Sequence, residues 1–265
     1  MLYAFHNGIL TEEDRNKLYP KSITLEVTEG LVQNNEVFVV APDRERSATG
    51  HSLTLHRPLR LDEVNHLPGV KLSCSTDGTP SDCVKIAIGA ILKEPPDIVL
   101  SGINHGPNMG SDVLYSGTVS AAMEGAIYNI PSIAISLADH KPQDFTGAVT
   151  FISELLKKIK EIKFPDRTLL NINIPALPLP EIAGVEITEL GVRPYNDYFV
   201  KRVDPRGRTY YWLAGEAIEE NELPGTDVFA VRNNQISITP VTIHMTNEKM
   251  LPELKEWVKQ IKLFR

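Results

Sequence analysis

An α/β fold, Rossmann-like and built on a mostly parallel sheet flanked by helices, is predicted by three observations. Short apolar runs rich in β-branched residues stop at proline, glycine or a turn: "EVFVVAP" (36–42), "DIVLSG" (97–102), "IPSIAISL" (130–137) and "LLNINIP" (169–175). Unbroken apolar runs of this length mark strands buried on both faces, as in a parallel sheet. Longer segments of helical period separate them, and strands alternating with helices make βαβ units. After about Pro175 the chain turns to aromatic-rich extended runs, which adds a protruding β-hairpin and a C-terminal part.

The helices follow from capping and periodicity. "TPSDCVKIAIGAIL" (79–92) opens with Thr79, Pro80 and Asp82, a capping box with proline at the first helical position. "TVSAAMEGAIYN" (118–129) is a second helix, made of small residues. "FTGAVTFISELLKKIKEI" (145–162) is a third, with lysines on its outer face. In "NDYFVKRVDPRGRTYYWLAGE" (196–216) two aromatic-rich runs flank Asp204-Pro205-Arg206-Gly207, a turn signal that predicts a long hairpin. "GTDVFAV" (225–231) and "ISITPV" (236–241) read as short strands around Asn233-Asn234, and residues 251–264 as a closing helix. A hairpin so rich in aromatics makes a poor monomer surface, so its burial between subunits is expected.

The 265 residues are enough for one large α/β domain, and a single domain over 1–265 is expected, with 176–265 holding the hairpin and the oligomerisation part. A net charge of -7 leaves no basic excess to displace counterions, which argues against a nucleic-acid binder working by bulk charge. Cys74 and Cys83 are the only cysteines. Lacking further ligands for a zinc knuckle, they read as reduced thiols. No signal-peptide pattern opens the chain, and no run of about 18 apolar residues spans a membrane. A cytoplasmic location, away from membranes, is expected.

In an open parallel sheet, ligands bind outside the carboxyl ends of the strands, where the strand order reverses. The loops that follow the predicted strands, "APDRERSATGHSLT" (41–54) and "SGINHGPNMGSDVLYSGT" (101–118), are rich in hydroxyls, amides and glycines. Neither holds Gly-x-Gly-x-x-Gly or a Walker lysine, which disfavours dinucleotide and P-loop folds. No Gly-x-Ser-x-Gly elbow supports a serine hydrolase. Ser116-Gly117-Thr118 precedes a helix, where unpaired N–H groups and the helix dipole suit a phosphate; equally, Ser116 or Thr118 caps that helix. Asn104 and Asn108 offer amide donors and carbonyl acceptors, or make turns. His105 is a general acid or a bystander, Asp112 a loop cap, and Ser47 a cation ligand or a turn residue. Arg44 and Arg46 read as surface charges, and His51 and His56 as structural. Composition and spacing stop at an α/β protein with a crevice friendly to oxyanions.

A longer pattern goes further. "VFVVAPDRERSATGHSLTLHRPLR", "DGTPSDCVKIAI", "DIVLSGINHGPNMGSDVLYSGTVSAAMEG" and "IPSIAISL", followed in order by "LNINIP", "DPRGRTYYW", "GTDVFAV" and "SITP", resemble the SurE family of survival-protein-E nucleotidases. The resemblance implies a Rossmann-like fold whose hairpin and C-terminal swapping build homodimers or homotetramers. It implies a divalent-metal-dependent phosphatase, with Mg²⁺ or Mn²⁺, acting on nucleoside 5′- and 3′-monophosphates. The family's metal is held by two adjacent aspartates, a serine and an asparagine. The serine matches Ser47 and the asparagine Asn104. The phosphate-contacting Ser-Gly-Thr matches Ser116, Gly117 and Thr118, and Asn108 is placed with them.

The beginning departs from this pattern. The family opens on an apolar strand and then Asn-Asp-Asp-Gly. Residues 1–35, "MLYAFHNGILTEEDRNKLYPKSITLEVTEGLVQNN", keep a strand-like run and an Asn-Gly but no aspartate pair. "TEEDRNKL" (11–18) reads as a solvated helix start. No catalytic residue is therefore assigned. Hard divalent cations want anionic oxygens, and Ser47 and Asn104 are neutral. Two expectations follow: an active nucleotidase with a substitute carboxylate or a compromised metal site, or a non-catalytic member that binds nucleotide or phosphate.

Overall fold

The computed structural model describes residues 2–4, 30–32, 35–64, 67–139, 144–216, 218 and 223–261. The expected solvated helix start at 11–18 lies outside them. The strands are β1 (Leu2–Ala4), β2 (Phe38–Pro42), β3 (Leu61–Glu63), β4 (Leu72–Thr76), β5 (Val99–His105), β6 (Ser132–Leu137), β7 (Thr168–Ile174), β8 (Gly184–Ile187), β9 (Tyr198–Val203), β10 (Thr209–Ala214) and β11 (Gln235–Thr242). The helices are α1 (Pro80–Ile86), α2 (Gly117–Ile127), α3 (Thr146–Lys158), α4 (Asp227–Arg232) and α5 (Leu251–Val258).

Nine strands form one sheet in the order β3-β4-β2-β1-β5-β6-β7-β11-β8. From β4 through β7 every pair is parallel. The strand-like run at the N-terminus is β1, seated at the centre between β2 and β5. The chain winds outward from β1 to β2 and β4, then returns to β5 and winds the other way to β6 and β7. The strand order therefore reverses between β1 and β5. The edges are mixed, since β3 runs antiparallel to β4 and β11 antiparallel to β7.

Both faces of the sheet are apolar, which explains the unbroken runs. Val39, Leu100, Ile133 and Ile135 share one cluster with Ile152 and Leu156 of α3. Their neighbours Val40 and Val99 point the other way, to Cys83, Val84 and Ala121 on α1 and α2. The small residues of α2 let it lie close to the sheet. At Gly125 a Cβ would run into Ser132 and Val99. Cys74 and Cys83 are buried free thiols, and burial drives the Cys83 thiol far above its usual range.

The capping box forms as expected: Thr79 Oγ1 accepts from Asp82 N at 3.1 Å, and the Asp82 carboxylate accepts from Thr79 N at 2.9 Å. Beyond Ile86 the helix widens into a π turn (Ala87–Ile91). One expected strand is a helix instead. Residues 225–231 read as extended because they are β-branched and aromatic, but Thr226 caps Phe229 N and buries Asp227, Val228 and Ala230 on one face, so Asp227–Arg232 is α4. The spacing of that buried face is helical, and a seven-residue segment is too short to show it. The expected hairpin is β9–β10, paired antiparallel from Tyr198↔Ala214 to Val203↔Thr209. Among the described residues no helix is long and apolar enough to cross a membrane.

Candidate functional site

The carboxyl ends of β2 and β5 flank β1 at the point where the strand order reverses, and their loops carry most of the residues singled out from the sequence. Asn104 lies in the last turn of pleat of β5. Its Nδ2 donates to the carbonyls of His105 and Gly106, each at 2.9 Å. Those two bonds fix the amide so that Oδ1 turns to Thr118, accepting from its Oγ1 at 3.3 Å. Asn104 and Thr118 are thus brought together across the crevice.

Ser116 is the N-cap of α2: its Oγ accepts from Val119 N at 3.1 Å. Its carbonyl accepts from both the N–H and the hydroxyl of Ser120. The capping role foreseen for Ser116 is therefore real. The N–H groups of Gly117 and Thr118, in the first turn, have no intrahelical acceptor to reach. They lie at the positive end of the helix, an arrangement able to receive an oxyanion.

Asn108 is buried. Its N–H donates to Asn173 Oδ1 at 2.8 Å and its Nδ2 to Ser136 Oγ at 2.7 Å. Its carbonyl accepts from Asn171 and Asn173 at 2.8 and 3.0 Å. These bonds anchor the loop to β6 and β7. Further along, Gly110 has φ of 53°, and a Cβ there would lie 2.7 Å from the Gly191 carbonyl. Asp227 clasps both segments, accepting from the N–H groups of Gly110 and Gly191. Asp112 is no mere loop cap. It accepts from Arg193 Nη1 at 2.8 Å and from the Tyr195 hydroxyl at 2.6 Å. Burial first, and then that carboxylate, push the Tyr195 phenol up to about 12.

Ser47 is exposed on the loop after β2, and its hydroxyl donates to Glu45 at 2.8 Å. The structure places Ser47 with Glu45 rather than in hydrogen-bond contact with Asn104. Arg46 departs from the expected surface charge: it is partly buried and donates to the carbonyl of Asp77. His105 stacks on Phe145, ring centroids 5.2 Å apart at 27°. Burial holds its imidazole below the usual value, with Glu45 pulling it back up. His56 is exposed, while His51 meets the buried Glu124.

Glu124 and Glu45 were not singled out from the sequence. Glu124 carried a signal, as the lone charge in an otherwise apolar, small-residue helix. Glu45 sits in a run of charges and carried none. Among the described residues no group of three or more His, Cys, Asp or Glu side chains could hold a metal ion. Ser47 and Asn104 bring two neutral oxygens, which by themselves do not fit a hard divalent cation.

Residues 20–197 match the family described as "SurE: Survival protein SurE". The protein is 56% identical over 238 residues to the "5'-nucleotidase SurE" of Thermosynechococcus vestitus, covering 87% of this chain and 89% of that one. It is 50% identical over 234 residues to the "5'-nucleotidase SurE" of Pelotomaculum thermopropionicum, covering 88% and 89%. Among solved structures, the SurE protein of Aquifex aeolicus superposes with a TM-score of 0.80 at 37% identity, over 97% of this chain and 98% of that one. With the sheet order, the ordered motifs and these relatives in agreement, the chain belongs to the SurE family.

Proposed function

We propose that the protein is a phosphomonoesterase that hydrolyses nucleoside 5′- and 3′-monophosphates to nucleoside and phosphate, as a cytoplasmic homodimer or homotetramer. The observation that carries this reading is the pinned Asn104 amide facing Thr118 at the first turn of α2. Relatives at 50–56% identity bear the name 5'-nucleotidase. In this reading the backbone N–H groups of Gly117 and Thr118 take the phosphoryl oxygens, and the Thr118 hydroxyl turns its one proton from Asn104 Oδ1 to the bound phosphate. Release of phosphate from AMP and 3′-AMP by the purified chain with Mn²⁺ tests it. Binding of both nucleotides with no phosphate released would overturn hydrolysis and leave a binding protein.

The family's divalent cation, Mg²⁺ or Mn²⁺, would polarise phosphoryl oxygens and lower the pKa of bound water. Of its donors the sequence retains Ser47 and Asn104, without the aspartate pair. Mn²⁺ is therefore expected to bind this chain much more weakly than a family member that has the pair. Titration calorimetry checks it: micromolar Mn²⁺ binding that disappears in Asn104→Ala would contradict the expectation and show that another carboxylate completes the site.

The seat has its own test. Ser116→Ala and Thr118→Val are each expected to weaken binding of AMP and of inorganic phosphate by about 1 kcal/mol, and by more where the lost bond reached a charged oxygen. Ser116→Ala should also cost about 1 kcal/mol of stability through the lost cap. Unchanged phosphate affinity in both variants would reduce these residues to helix caps.

A further inference from the structure

We propose that Glu124 is a positioning residue which, through His51, fixes the Ser47 loop against the helix that forms the phosphate seat. The functional part of this proposal rests on the seat reading above. Glu124 lies eight residues beyond the N-cap of α2 and is 2% exposed. Its Oε2 is 2.8 Å from His51 Nε2, and its Oε1 accepts from Lys85 Nζ of α1 at 2.8 Å. Burial pushes its carboxyl upward, but the bonds from His51 and Lys85 outweigh burial and hold it below the ordinary value. The charge is therefore kept inside the fold, at a cost that only well-placed partners offset. Packing gives no reason for it, because the buried residues around it on α2 are alanine, glycine, serine and methionine.

The two partners do different things. Lys85 belongs to α1 and its ammonium lies over the ring of Tyr128, 5.3 Å from the centroid. His51 belongs to the loop between β2 and β3, four residues after Ser47. Neighbouring bonds hold the same stretch. Gly50 N donates to Tyr115 O at 3.0 Å, Thr79 Oγ1 donates to Ser52 O at 2.7 Å, and Thr54 N donates to the Asp82 carboxylate. Of these contacts the His51 bond is the one to a charged group on α2 itself. It ties the Ser47 loop to the body of α2, while the Gly50–Tyr115 bond ties it to the residue before the N-cap, so that loop and helix form one unit. Precise placement of groups on different elements depends on such supporting contacts.

The two partners also supply the test, since both contact one carboxylate and only one sits on the loop. His51→Ala and Lys85→Met are compared in the full chain by hydrogen–deuterium exchange, by thermal unfolding, and by titration with AMP and inorganic phosphate. In His51→Ala, exchange over residues 43–54 should rise and AMP affinity fall, each by about tenfold, the worth of a hydrogen bond to a charged group. Lys85→Met should change either by less than about twofold even if its melting temperature drops as far. His51→Gln, whose amide can still donate, should recover part of both. Where His51→Ala does not fold, His51→Gln is read against Lys85→Met in the same way. Equal exchange over 43–54 in the His51 and Lys85 variants would overturn the tether. Faster exchange with unchanged AMP affinity would overturn its functional role. Failure of the seat itself shows separately, as AMP affinity indifferent to Ser116→Ala and Thr118→Val.

Discussion

Replacing residues 196–213 by a short Gly-Ser loop is expected to leave the chain monomeric at micromolar concentration, where the intact chain is expected to sediment as a dimer or larger. Among the described residues β9 and β10 pair only with each other, outside the nine-stranded sheet. Phe199 is 68% exposed and Trp212 63%, and Tyr198, Tyr210 and Tyr211 are exposed beside them. A lone two-stranded hairpin is marginal in water, so its aromatics need another surface. Helix α5 has no buried residue and adds Leu254 and Trp257 to what one chain leaves uncovered. Aromatic anchors buried at the centre of a contact each contribute about 2 kcal/mol or more. A micromolar association amounts to about 8 kcal/mol, so loss of five such side chains should abolish it. An intact chain that stays monomeric, or a loop-replaced chain that remains fully dimeric, would contradict this.

The largest stability effect is expected at Asp227. Its carboxylate is fully buried and accepts from three backbone N–H groups: Gly110 and Gly191 at 2.8 Å and Val228 at 2.9 Å. Burial pushes its carboxyl above the ordinary value, against the pull of those bonds. Asp227→Ala would leave the N–H groups without acceptors where water does not replace them, at about 1–3 kcal/mol each. A total loss of about 3–5 kcal/mol is expected, a large part of a typical domain's stability. Asp227→Asn keeps one acceptor oxygen and should lose less. Urea unfolding checks both, and a loss under about 1 kcal/mol in the alanine variant would show that the clasp is dispensable.

Much of the fold was legible because its signals are local. β2, β5, β6 and β7 are apolar on both faces, so each is visible as a continuous run whatever it pairs with. The capping box at Thr79 and Asp82 is closed within four residues, and the hairpin turn at 204–207 is equally local. Strands β3, β4 and β8 were not anticipated. They are short, polar or exposed on one side, and only pairing with a neighbour makes them strands. Segment 225–231 shows the opposite failure: its β-branched residues favour extension, while the cap at Thr226 and the burial of Asp227 make it a helix.

The candidate site divides in the same way. Sequence by itself determined that Asn104 stands where a strand ends, that Ser116, Gly117 and Thr118 stand where a helix begins, that Ser47 lies on another loop, and that no aspartate pair stands in the first 35 residues. Those are properties of residue type and order along the chain. Tertiary structure alone decided that the Asn104 amide is turned toward Thr118, that Asn108 anchors its loop to β6 and β7, and that Ser47 meets Glu45. It alone brought His51 to Glu124, 73 residues apart. A hydrogen bond depends on orientation and on distances of about 3 Å, and a buried charge depends on what surrounds it. Neither is written in the spacing of residues along a chain, because both depend on how the folded loops, strands and helices are set against one another.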